Sequence, residues 1–259
     1  MSTTEPLVPE RLFSLAGKVA LITGSAGGIG FGLARGFAAA GARVVLSDLN
    51  PKVHELTREL PGNADHLSLE LDVTEQESVD EAIDEIVEKC GKLDIAVNNA
   101  GIIVRKPFLE LSLDDWESVL STNLTAYFVV AQRALRAMLP RKSGRIINVG
   151  SIMNHVARPN LTAYVTAKGG VHAFTRAVAA DLGGTGVTCN TLAPGYTATE
   201  LSMASDKAFH HFIADWVPAK RWGKPEDLIG AALLFASDAG AYINGQAIYV
   251  DGGFTAVTK

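Results

Sequence analysis

Residues 18–48 read KVALITGSAGGIGFGLARGFAAAGARVVLSD, and the order of their parts decides the fold. An apolar, β-branched run at 18–23 meets a glycine cluster, which opens a helix-period stretch at 30–40 and then a second apolar run at 42–48. Strand, tight turn, helix and strand make a βαβ unit, and strands apolar almost throughout belong to a parallel sheet covered on both faces. In the turn Thr23-Gly24-Ser25-Ala26-Gly27-Gly28-Ile29-Gly30, backbone N–H groups and a helix N-terminus are aimed where a dinucleotide pyrophosphate would lie. Gly24, Gly28 and Gly30 lack the Cβ atoms that would hold the backbone off a phosphate or the helix off the sheet. Ser25 and Ile29 complete the candidate cradle. A glycine turn by itself often only reverses the chain; its place between strand and helix is what points to a nucleotide.

The same alternation continues outward. Strands are predicted at 66–72, 93–98, 144–150, 186–192 and 246–251, and helices at 74–90, 113–139, 162–182 and 225–236. The expectation is a single Rossmann-like, doubly wound α/β domain over 14–259, with a seven-stranded parallel sheet flanked by helices and a short N-terminal extension at 1–13. Residues 196–223 follow a strand at the carboxyl edge, with weak periodicity and clustered aromatics. A mobile substrate lid and an ordinary packed helical insert are the two alternatives there.

With 259 residues, 47% of them hydrophobic, and a net charge of -5, the chain suits one sizeable core. No apolar run is long enough for a membrane span, the first nine residues do not read as a signal peptide, and no basic cluster suits nucleic acid. The cytoplasm is the expected location and small molecules the expected partners. Cys90 and Cys189 stand far apart, without ligand-spaced cysteine or histidine nearby, so neither a disulfide framework nor a metal site is implied.

Asp48 ends the second strand, where a carboxylate can accept from the adenosine ribose hydroxyls; a helix cap or a solvent-facing acid is the alternative. Residue 27 is glycine and no arginine follows Asp48 directly, so nothing nearby neutralises a 2′-phosphate that Asp48 would repel. NAD is therefore expected, with NADP as the alternative. Asp72 and Val73 end the third strand and suit an adenine ring. Asn98-Asn99-Ala100-Gly101 ends the fourth with residues small enough for a cofactor to lie against the backbone.

Tyr164 and Lys168 stand four apart on a helix-period stretch and so share a face. A free phenol, with a pKa of about 10, is a poor base at neutral pH; a lysine cation and an oxidised nicotinamide beside it would both favour the phenolate. Ser151 ends the fifth strand, where its hydroxyl can donate to a reacting oxygen. Asn123 falls inside a predicted helix, a poor place for asparagine, which hints that its amide or the local backbone does something other than continue the helix.

Taken together, TGSAGGIG at 23–30, NNAG at 98–101, Asn123, Ser151, YVTAK at 164–168, PG at 194–195 and VDGG at 250–253 resemble the short-chain dehydrogenase/reductase family over about 14–253. The resemblance implies an NAD(P)-dependent oxidoreductase with Tyr164 as proton donor and acceptor and Ser151 orienting the reacting oxygen. It makes Lys168 both phenol activator and nicotinamide-ribose ligand, and has Asn123 hold a water in the proton relay. Pro194 and Gly195 would border the cofactor, with Thr199, and Thr197 through its backbone, meeting the nicotinamide carboxamide. It also implies a homotetramer built on the long helices.

Further tracts, LFSLAGK at 12–18, GIIVRKPF at 101–108 and RWGKPEDLIGAA at 221–232, are similar to members of the family that act on sugar acids. The implied substrate is D-gluconate with 5-keto-D-gluconate, or a related polyol or sugar acid. Alternatives are a 3-oxoacyl thioester, a deoxy-ketoaldonate, or a non-catalytic NAD-sensing module. Arg105 and Arg158 are the candidate carboxylate ligands and Asn154 and His155 the candidate hydroxyl partners, although loop arginines and histidines are commonly just solvated. His210, His211 and Trp216 are candidates for the lid's inner face.

Overall fold

The computed structural model describes residues 8–62, 64–203 and 207–257. Alternation along each strand sorts its side chains between two apolar layers. In β1 (Val19–Thr23) Ala20 and Ile22 face one layer and Val19 and Leu21 the other; in β2 (Arg43–Asp48) Val44 and Leu46 are opposed to Val45. Helix α1 (Gly28–Ala39) covers the first layer with Leu33 and Phe37. Helix α2 (Gln76–Cys90), following β3 (Leu67–Glu70), covers the second with Val79, Ile83 and Ile86.

Seven parallel strands form one sheet in the order β3-β2-β1-β4-β5-β6-β7, with β4 at Ile95–Asn98, β5 at Gly144–Val149, β6 at Val187–Pro194 and β7 at Ala247–Val250. Strand β1 pairs with both β2 and β4. The chain progresses outward in opposite directions from there, which opens a crevice at the carboxyl ends of the strands. The predicted doubly wound architecture is the observed one. Helix α5 (Thr162–Asp181) crosses from β5 to β6. Single turns at Pro9–Leu12 and Val53–Leu56 lie outside the expected pattern.

The continuous helix expected over 113–139 is interrupted. Helix α3 (Leu113–Leu120) starts at a capping box between Ser112 and Asp115, passes into a five-residue π segment (Ser121–Thr125), and resumes as α4 (Ala126–Met138). A π segment carries one extra residue in its turn and turns up mostly at functional sites. The predicted helix at 225–236 likewise opens as a 3₁₀ turn (Pro225–Leu228), with proline in the first position, before α7 (Ile229–Ala236); between β6 and it lie a single turn (Glu200–Met203) and α6 (Lys207–Trp216). Among the described residues no helix is long and apolar enough to cross a membrane.

Candidate active site

A cavity of about 910 Å³ opens at the carboxyl edge of the sheet, and the turn after β1 forms one end of it. Gly24 has φ +64°, and a Cβ there would sit 2.6 Å from the Ala100 Cα, so only glycine lets this turn lie against the end of β4. Asn99 fixes the contact by donating to the carbonyls of Thr23 (2.9 Å) and Gly24 (2.8 Å). Gly24, Gly28 and Ile29 line the cavity, as do Asn99, Ala100 and Gly101. Two residues expected in the cradle do not. Gly30 lies behind the turn, where a Cβ would meet the Gly24 carbonyl oxygen at 2.4 Å, and Ser25 is fully buried, its hydroxyl accepting from the Ser47 N–H at 2.9 Å. Both shape the turn from beneath.

Asp48 lines the cavity and accepts from the N–H groups of Ala26 (3.0 Å) and Asn50 (3.0 Å). A carboxylate has about four acceptor positions, so it can organise the turn and still receive ribose hydroxyls. Asp72 and Val73 also line it, with the Asp72 carboxylate accepting from the Thr74 backbone (2.9 Å) and hydroxyl (2.6 Å). A cradle that a Cβ would fill, a carboxylate beyond it and a small-residue strand end fit a dinucleotide. When bound, the nicotinamide supplies the hydride acceptor or donor.

At the other end stand Ser151, Tyr164 and Lys168. Ser151, just past β5, is held by the Met153 N–H at 3.2 Å and hydrogen-bonds the Tyr164 phenol. Tyr164 is enclosed by protein with one face on the cavity; burial pushes its pKa up, and the Ser151 hydrogen bond and the Arg105 charge oppose that. Lys168, 3% exposed, donates to the Val149 carbonyl at 2.7 Å and to the Tyr127 hydroxyl at 3.1 Å. Its Nζ is 5.8 Å from the Tyr164 ring centre. Burial lowers its pKa to about 7. The charge that opposes the burial of Tyr164 comes from Arg105, in the loop after β4, while Lys168 stands one helical turn away with its own pKa lowered by burial.

Asn123 is fully buried and does not line the cavity. Its amide donates to the Ile102 carbonyl (2.9 Å) and accepts from the Ile102 N–H (2.8 Å), clamping the loop after β4 onto the π segment. Asn154 is also turned away from the cavity, accepting from the Tyr249 hydroxyl at 3.0 Å, and His155 packs on the Tyr249 ring.

Arg105 and Arg158 both line the catalytic end, and among the described residues neither forms an ion pair. The Arg158 guanidinium lies 3.8 Å over the Phe209 ring and hydrogen-bonds Tyr196. Pro194, Gly195, Thr197 and Thr199 line the adjoining wall. The 196–223 segment is closed at its base by a bridge between Thr197 and Gly223, with Ala198 N–H donating to the Gly223 carbonyl at 2.9 Å. Phe209 and Trp222 face the cavity, rather than His210, His211 and Trp216; His210 stacks on Trp222 at 5.0 Å. Sequence reasoning missed Tyr127, Phe209 and Trp222. For Tyr127 a signal existed, an aromatic one helical turn beyond Asn123, but it reads equally as core.

A family model described as enoyl-(acyl carrier protein) reductase matches residues 24–255. The chain belongs to the short-chain dehydrogenase/reductase family and is an NAD(P)-dependent oxidoreductase acting on CH–OH groups. It is 41% identical to gluconate 5-dehydrogenase of Gluconobacter oxydans (strain 621H), covering 94% of this chain and 97% of that one. It is 40% identical to 5-keto-D-gluconate 5-reductase of Escherichia coli (strain K12), covering 93% and 97%. A crystal structure of a gluconate 5-dehydrogenase from Burkholderia cenocepacia J2315, in complex with NADP and tartrate, superposes with a TM-score of 0.91 at 42% identity, covering 97% of this chain and 100% of that one.

Proposed function

We propose that this enzyme interconverts D-gluconate and 5-keto-D-gluconate, or a closely related sugar acid pair. The observation that carries it is the pair of guanidinium groups, Arg105 and Arg158, beside Ser151 and Tyr164 in a cavity whose other end has the acids Asp48 and Asp72. Unpaired arginines next to the reacting position suit a carboxylate, and a polyol needs none. The sugar-acid names of the relatives supply the particular acid.

In the oxidation direction Tyr164, as phenolate, takes the hydroxyl proton from the secondary alcohol. Ser151 donates to that oxygen as charge develops on it. Arg105 favours the phenolate electrostatically, and Lys168 holds the ribose that presents the nicotinamide. In reduction Tyr164 returns the proton to the alkoxide oxygen. The π segment around Asn123 belongs to the same relay, with a water held through its backbone, since the Asn123 side chain faces Ile102.

Asp48 supports NAD over NADP, since a 2′-phosphate would meet an uncompensated carboxylate. The 196–223 segment acts as the lid, its Phe209 and Trp222 covering substrate. Exposed Leu113 (67%) and Phe128 (48%) on α3 and α4 support a homotetramer paired through these helices, and two free cysteines accord with the cytoplasm.

Arg105→Ala tests the substrate class. It is expected to raise KM for gluconate by about 10- to 100-fold, the loss of a charge-assisted hydrogen bond, and to leave KM for a 3-oxoacyl thioester within about twofold. Equal effects on both would contradict the assignment.

A further inference from the structure

We propose that Tyr127 is a positioning residue for Lys168: its buried hydroxyl oxygen accepts a hydrogen bond from the ammonium and fixes it one helical turn from Tyr164. Tyr127 projects from α4 and is 1% exposed. Its hydroxyl meets two partners, donating to the Val149 carbonyl at 3.2 Å and accepting from Lys168 Nζ at 3.1 Å. Lys168 in turn donates to the same carbonyl at 2.7 Å. A carbonyl oxygen has two lone pairs, so it accepts from both and the three groups close into a ring.

The ring joins three elements, the end of β5, α4 and α5, two residues before Ser151. A buried phenol is costly unless its oxygen is bonded, and phenylalanine would fill the same space without that cost. The oxygen is therefore accounted for by what it holds. Lysine has a long flexible stem and three donors. With two hydrogens fixed on Val149 and Tyr127, the third is left for the cavity that Lys168 lines.

An acceptor on the ammonium also favours its charged form against the burial that lowers it. The titratable groups facing Lys168 are Tyr127 from α4 and Tyr164 from its own helix; Arg105, from the loop after β4, acts on Tyr164. Val149 and Ser151 bring no charge. Removing the Tyr127 oxygen therefore moves the Lys168 titration to lower pH.

The inference rests on Lys168 as a nucleotide ligand and is independent of the sugar acid. The test is the pH dependence of NADH and NADPH binding, followed by nucleotide fluorescence without substrate, in the wild type, Tyr127→Phe and Tyr127→Met. The wild-type affinity is expected to change with a midpoint near 7. In both variants the midpoint should fall by about half a pH unit or more, with the unfolding temperature nearly unchanged in Tyr127→Phe. Two apolar replacements of different shape give the same shift only if the lost oxygen is the cause. A midpoint unchanged in either folded variant, or a wild-type affinity flat between pH 6 and 9, overturns the proposal. Failure of gluconate turnover would leave this result standing.

Discussion

Tyr164 is surrounded by groups that pull in opposite directions: burial raises its pKa while Ser151 and Arg105 lower it. Removing the phenol oxygen leaves no group at that place to move the proton. Tyr164→Phe is expected to cut turnover by about 100-fold or more while NADH still binds, measured by steady-state rates and nucleotide fluorescence. Lys168 makes a separate claim through stability. Its pKa is about 7 in the folded protein and about 10.4 in an unfolded chain, so the unfolded state holds the extra proton between those values. Stability therefore rises with pH across that window, and this contribution is absent below it. Lys168→Met should flatten the rise in unfolding temperature between pH 7 and 10; an unchanged slope would show that the lysine is charged in the fold. The identities of Tyr164, Lys168, Ser151 and the turn glycines were legible in the sequence because their chemistry depends on short spacings. The partners of Lys168 were not, since Val149 and Tyr127 come from other elements and meet it only through packing.

At the level of elements, the central strands were legible because β1, β4 and β5 are near-continuous apolar runs. Strand β3, Leu67–Glu70, alternates apolar with polar residues and was legible by its place in the alternation of strands and helices. The sequence concealed the break in the helix predicted over 113–139, because α3 and α4 both carry apolar faces and a π segment leaves no gap in periodicity. Asn123 was the one mark of it, and its two hydrogen bonds to Ile102 show why the interruption is there: the loop after β4 is tied to the helix. Asn123→Ala takes both partners from the Ile102 backbone, which is exposed enough for water to replace them in part. Unfolding should become easier by about 1 kcal/mol, read from denaturant melts. The proposed lid belongs to this scale too. Its aromatic wall comes from Phe209 and Trp222, which sequence order gave no reason to prefer over His210 or Trp216. Phe209→Ala removes the surface under the Arg158 guanidinium. It should raise KM for a sugar acid several-fold with little change in NADH affinity, since Asp48 and the glycine turn lie at the far end of the cavity.

Across the whole molecule, the doubly wound sheet sets two chemistries at opposite ends of one crevice, acids where the adenosine would lie and arginines where the substrate would. That polarity was only partly legible: Asp48 and Arg105 could be placed at strand ends, but whether they shared a cavity depended on the fold. The exposed apolar surface on α3 and α4 has the same status, since no periodicity says what covers a face. Light scattering should give a mass near four times the 27.4 kDa chain; a mass of one chain would rule out pairing through these helices. The central claim is tested most directly by following the absorbance of reduced nicotinamide while the purified enzyme meets D-gluconate, and 5-keto-D-gluconate in reverse, with NAD(H) and NADP(H) in parallel. The account predicts turnover in both directions with NAD(H) preferred. Absence of turnover with either cofactor, while another polyol or an oxoacyl thioester is readily converted, would contradict it.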